Sequence, residues 1–369
     1  MSSELRRRGP LLLLGAAALV TGAWAGLARL GAVATTPASP MDHGPLMVSG
    51  FLGTVIALER AVAARTTWAM LAPALCGAGA VALLAGQPFA GAVLLSAGSA
   101  LVVAVQLTML RGGAELHLVV LTLAAASWLA GNVLLAMGRA VFDVVPFWLV
   151  FLVGTIAAER LELNRVLPRT PFTRASFLLG LGLLVGGAVL GLAWRDAGMR
   201  VLGAGALALA AWMLRFDVAR RTIRQSGAVR YIAAALLAGY AWLGVAGALA
   251  LAYGHPMAGP RYDALLHSVL VGFVFSMIFG HALVIVPAVL GLRVPFRERF
   301  YVHLGLLHLS LVARLAGDFS GLLPLRQAGA WANVAAIALF LASTALAAAS
   351  RTTGPAPASP HGAPRAQTG

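Results

Sequence analysis

Stretches of about 20 apolar residues, each long enough for a helix to cross a hydrocarbon layer of about 30 Å, recur along nearly the whole chain. Backbone amides inside such a layer must find partners within their own segment, so each stretch reads as an α-helix. There are twelve, at 11–34, 44–62, 68–86, 89–110, 115–136, 144–160, 175–194, 198–214, 231–253, 264–290, 300–317 and 328–349. The expected fold is all-α, a polytopic membrane protein of 12 transmembrane helices. Composition points the same way. Of 369 residues, 60% are hydrophobic and only 11% charged, too few charges to cover a soluble surface of this size.

The apolar run from Leu11 to Ala34 follows Arg6-Arg7-Arg8 and ends at Ala32-Val33-Ala34, so it also resembles a signal peptide. Its apolar core exceeds the 7–15 residues of a signal segment, which favours an uncleaved first membrane helix. With the N-terminus inside, the inner loops collect fifteen arginines, among them Arg60, Arg111, Arg160, Arg165, Arg169, Arg174, Arg215, Arg220, Arg221 and Arg224. The outer loops hold Arg139, Arg195, Arg200, Arg261 and Arg326. This bias predicts both termini in the cytoplasm of a bacterial inner membrane. It also accounts for the net charge of +15 without a nucleic-acid partner. Residues 1–351 form one transmembrane domain, and the Pro/Ala/Gly-rich residues 352–369 read as a disordered cytoplasmic tail containing His361. A single cysteine, Cys76, excludes a disulfide framework and a multi-cysteine metal site.

One motif recurs. Phe51 to Arg60, "FLGTVIALER", returns at Phe151 to Arg160 as "FLVGTIAAER". The second and sixth spans thus run in the same direction and both close on Glu-Arg. Those pairs read as interfacial ion pairs with snorkelling arginines. A parallel repeat of four helices implies three such units, with the tenth span equivalent to the second and sixth. The tenth span, "HSVLVGFVFSMIFGHALVIVPAVLG", also begins with a histidine at its outer end. His43 and His267 therefore lie at one membrane depth on helices of equal direction. Two neutral imidazoles so placed suit the two faces of a haem iron, and ionisable residues inside a span are functional candidates by default.

The same residues carry a resemblance. His267, Val269-Leu270, Gly272, Val274-Phe275, Pro287 and Gly291 resemble the tenth helix of the haem-copper oxidase catalytic subunit, and His43 to Met47 is similar to the start of that family's second helix. The NnrS-type membrane proteins, twelve-helix relatives linked to nitric oxide metabolism, are a similar match. The resemblance implies a haem-copper-oxidase-subunit-I-like arrangement of three four-helix repeats. It also implies a b-type, low-spin haem between His43 and His267, with copper as a further candidate. Two features depart from the oxidases. Leu265 stands where they carry a second histidine, and residues 144–194 contain none of the copper histidines. Terminal oxidase activity is therefore not expected.

Cations for haem propionates are sought in Arg314, Arg326 and Arg29, although Arg314 with Asp318 four residues on also reads as a helical ion pair. His281 falls about 40° round the same face as His267 and roughly 21 Å deeper, where an inner metal or proton-relay site would involve His303, His308 or His117. His255 is expected to be solvated, and Trp24, Trp68, Trp148, Trp194 and Trp242 to form an interfacial belt. The expected function is haem binding within the bilayer, in electron transfer or in nitric oxide or respiratory metabolism, with a redox or respiratory-complex partner. The alternatives are a cofactor-free secondary transporter gated by Glu59/Arg60 and Glu159/Arg160, and an assembly partner for a respiratory complex.

Overall fold

The structure, a computed structural model, describes residues 3–164 and 170–350. The tail with His361, and Arg165 and Arg169 of the sixth-to-seventh connection, lie outside them. All regular structure among the described residues is helical. In order, the helices are α1 (Ser3–Arg29), α2 (Pro40–Ala64), α3 (Trp68–Leu84), α4 (Pro88–Arg111), α5 (Leu116–Ala136) and α6 (Val141–Leu163). They continue with α7 (Pro171–Leu190), α8 (Arg195–Phe216), α9 (Gly227–Tyr253), α10 (Gly259–Leu290), α11 (Phe300–Ser320) and α12 (Leu323–Ala349).

Eleven of these are long and apolar enough to cross a membrane; α3 falls short. Its ordered length of roughly 25 Å, at 1.5 Å per residue, explains why a span expected over 68–86 is not a full crossing. The protein is a multi-pass membrane protein by these helices. Helix starts follow proline chemistry. Pro88, Pro171, Pro260 and Pro324 open their helices, where the missing amide hydrogen costs nothing. Pro260 is the reason α10 begins five residues before the expected 264, and the added turn brings Asp263 into the helix.

Two helices share an unusual feature. Three residues after His43, α2 widens into π-helical turns over Leu46–Leu52, and immediately after His267, α10 does the same over Ser268–Phe275. Insertions of this kind concentrate at functional sites. Phe51 and Phe275, one in each widened segment, stack with centroids 6.0 Å apart.

Buried polar side chains tie the bundle together. Ser49 donates to Asn132 Oδ1 at 2.8 Å, Trp128 donates to Ser49 at 3.0 Å, and Trp148 donates to Asn132 Oδ1 at 3.0 Å. Asn132 Nδ2 donates to Ser99 at 3.2 Å, so α2, α4, α5 and α6 meet at one amide. In an apolar interior an unpaired amide would cost a few kcal/mol, which makes the network a determinant of helix register. Trp148 is therefore not part of an interfacial belt: it is buried at 1% exposure because its indole has a partner in the core. Trp242 departs too, donating to His308 inside the bundle, whereas Trp24, Trp68 and Trp194 are exposed.

The Glu-Arg motifs also differ from expectation. Arg60 and Arg160 are buried rather than snorkelling. Arg60 bridges Glu59 at 2.7 Å and Glu159 of α6 at 2.9 Å. Arg160 holds Asp217 through bonds of 2.8 and 3.0 Å, and Asp217 also accepts from Asn164 and Tyr240. Burial of each guanidinium is tolerated because a carboxylate on another segment pairs with it.

Candidate functional site

At the opposite end of α2 from Arg60, His43 and His267 come together. Their ring centroids lie 6.2 Å apart with the planes inclined by 14°. Each ring is fixed by a main-chain carbonyl. Nδ1 of His43 donates to Gly22 O of α1 at 2.7 Å, and Nδ1 of His267 donates to Asp263 O, one turn earlier in α10, at 2.9 Å. A carbonyl can only accept, so both imidazoles carry the proton on Nδ1 and keep the lone pair on Nε2. This is the state in which histidine serves as a metal ligand, with its orientation set by the second hydrogen bond.

Gly26 of α1 makes room for this arrangement. A Cβ there would sit 2.7 Å from Cε1 and 2.8 Å from Nδ1 of His43. The two rings border a cavity of about 70 Å³ whose other walls include Leu27, Met47, Leu270, Arg314 and Asn333. Five helices, α1, α2, α10, α11 and α12, thus contribute to it. Its walls are almost wholly apolar apart from the histidines, Arg314 and Asn333.

The arginines fall at this same end but are already engaged. Arg314 donates twice to Asp263, at 2.8 Å each, which excludes the expected pair with Asp318 on its own helix. Asp318 lies 2.6 Å from Nε of Arg326, and Arg326 is 3.6 Å from Asp263. Two cations and two carboxylates therefore form one cluster, with Oδ1 of Asp263 also 3.3 Å from His267 Nδ1. Gly329 of α12 permits the close packing, since a Cβ there would meet the Arg314 backbone at 2.5 Å. Arg29, the third expected cation, ends α1 and is exposed.

Asp263, Gly22 and Gly26 are the site residues that sequence reasoning missed. Asp263 had a signal, since it stands four residues before His267 on the same helix.

The remaining histidines each have partners of their own. His303 is bonded at both ring nitrogens, by Tyr231 at 3.0 Å and Ser343 at 3.1 Å. His308 accepts from Trp242 at 3.0 Å and contacts Ser276 at 3.4 Å. His117 lies 3.3 Å from Glu115 and 3.7 Å from Glu162, and Nδ1 of His281 donates to Met277 O at 2.8 Å. Among the described residues no group of three or more His, Cys, Asp or Glu side chains is placed to hold a metal. His255 is not simply solvated either, for its Nε2 bonds Phe142 O at 3.1 Å.

No curated protein and no solved structure matches the chain. A match over residues 8–349 takes in both histidines, the arginine–carboxylate cluster and nearly all of the helical bundle, and by it the chain belongs to the family described as Domain of unknown function (DUF8744).

Proposed function

We propose that the protein binds haem through His43 and His267 and serves in electron transfer within the membrane, in respiratory or nitric oxide metabolism. One observation carries this reading: two half-buried imidazoles, each locked with the proton on Nδ1, face a shared apolar cavity with nearly parallel rings. The two free Nε2 lone pairs are what an iron or copper ion would take up, and the ring centres that carry them stand 6.2 Å apart. Haem held there would supply one-electron redox chemistry. The chain's own part is to present two lone pairs, to keep water out with the apolar walls, and to set cations at the rim. Arg314, in the cavity wall, is the nearer of these, with Arg326 behind it in the same cluster, and Asp263 and Asp318 neutralise the two in the protein alone. Propionates would therefore compete with these carboxylates for the same guanidinium groups.

A second reading draws on the size of the cavity. At about 70 Å³ it falls well below the 300–1,000 Å³ of ordinary small-molecule pockets. A cavity of that size suits a single soft ion such as copper(I) bound by the imidazoles, whereas a macrocycle is larger than it. The absorption spectrum of the detergent-purified protein separates the two. A Soret band, lost in both His43→Ala and His267→Ala, supports haem. Stoichiometric copper without a Soret band, lost in the same variants, supports the ion. Colourless, metal-free protein after supplementation with both overturns the site.

A further inference from the structure

The arginine-rich side of the bundle carries a second feature, remote in sequence from the histidines. Arg174 of α7, Arg215 of α8, and Arg220, Arg221 and Arg224 in the connection to α9 line one cleft. All five are exposed, and none is paired with a carboxylate among the described residues. The chain has only 12 acidic residues and every one is described, so residues 165–169 add no acid to this face. Asp217 forms part of the cleft floor, but Arg160, Asn164, Tyr240 and the Ala219 amide take up its oxygens. Glu115 is the remaining acid in the lining, and it lies beside His117. The cleft thus sets five exposed arginines against one exposed carboxylate, Glu115, and is strongly cationic.

Its other walls are suited to the level of lipid headgroups. Arg215 lies over the Phe216 ring at 5.1 Å, and Phe216 packs against Phe172 and Trp212. Phe172 is 69% exposed. Aromatic rings that join apolar surface to polar groups mark the membrane boundary. The 20-residue helix α7 also starts at the cleft, with Thr170 and Thr173 closing a capping box, so the positive end of its dipole faces the same space.

We propose that this cleft binds the phosphate headgroup of an anionic phospholipid, held by Arg174, Arg221 and Arg224 with its acyl chains beside Phe172 and Phe216. Guanidinium groups suit phosphate because their planar fork donates two parallel hydrogen bonds. Native mass spectrometry of the full chain, extracted from bilayers of phosphatidylcholine with phosphatidylglycerol, is the test. Phosphatidylglycerol should be retained in preference to phosphatidylcholine, and retention should weaken roughly fivefold for each arginine replaced in Arg174→Gln, Arg221→Gln and Arg224→Gln. The exposed Arg6→Gln and Arg7→Gln, on the same face but on α1, should leave it unchanged. Equal retention of both lipids by the unaltered protein overturns the proposal without recourse to any variant. So does loss of retention in the α1 variants to the same degree, or displacement of the lipid by millimolar inorganic phosphate, which would mark a site for the free ion.

Discussion

Asp263 and Arg314 face each other through two hydrogen bonds of 2.8 Å, joining the helix that carries His267 to the helix beside it. The carbonyl of the same aspartate fixes the His267 ring, so one residue links the charge cluster to the imidazole. Asp263→Asn leaves Arg314 and Arg326 partly buried against a single carboxylate. The expected loss is about 3 kcal/mol, as for other buried pairs broken on one side. Thermal unfolding in detergent should show it, and the double variant Asp263→Leu with Arg314→Met should lose less than Asp263→Asn alone.

Gly26→Ala is expected to act on the histidine pocket without disturbing the fold. The added methyl group would sit 2.7 Å from the His43 ring, which must then turn away from its present orientation. Helix content by circular dichroism should be retained. The Soret band or copper content proposed for the paired histidines should fall several-fold.

Arg160 and Asp217 should behave as one unit. Asp217 is wholly enclosed, and three other donors hold it in place. Arg160→Met leaves a buried carboxylate without its cation, whereas Asp217→Asn leaves a guanidinium without its anion. A double-mutant cycle by thermal unfolding should give a coupling of about 1–3 kcal/mol. Additive losses would show that the contact contributes nothing of its own.

Cys76 should resist chemistry in the native bundle. It is fully enclosed, and a Cβ at Gly98 of the neighbouring helix α4 would lie 2.6 Å from its Sγ. Maleimide should leave the protein unlabelled in intact membranes and label it once per chain after denaturation in dodecyl sulfate.

Apolar length made the helices legible, because a bilayer leaves the backbone no alternative to internal hydrogen bonding. The paired histidines were legible for a related reason: an ionisable group on an apolar span needs a partner, and two such groups at one depth suggest each other. Partners remote in sequence were not legible. Reading along one helix puts Arg314 with Asp318, four residues away, but the structure gives it Asp263, 51 residues away. The buried Trp148 was hidden similarly, since its partner Asn132 lies on the preceding helix. Arg60 and Arg160 read as interfacial because sequence position marks a helix end without showing what covers it. Glu159 and Asp217 cover them.

The widened turns over Leu46–Leu52 and Ser268–Phe275 separate each histidine from the longer, C-terminal part of its own helix. Since each residue advances a helix by about 100°, one residue gained or lost inside such a segment rotates everything on one side of it relative to the other. A deletion at Val48 would therefore swing His43 away from the Gly22 carbonyl while Arg60 kept its grip on Glu159. Along α2, the angular setting of the histidine-bearing end is decoupled from that of the ion-paired end, and the few residues of the wide coil act as the joint between them.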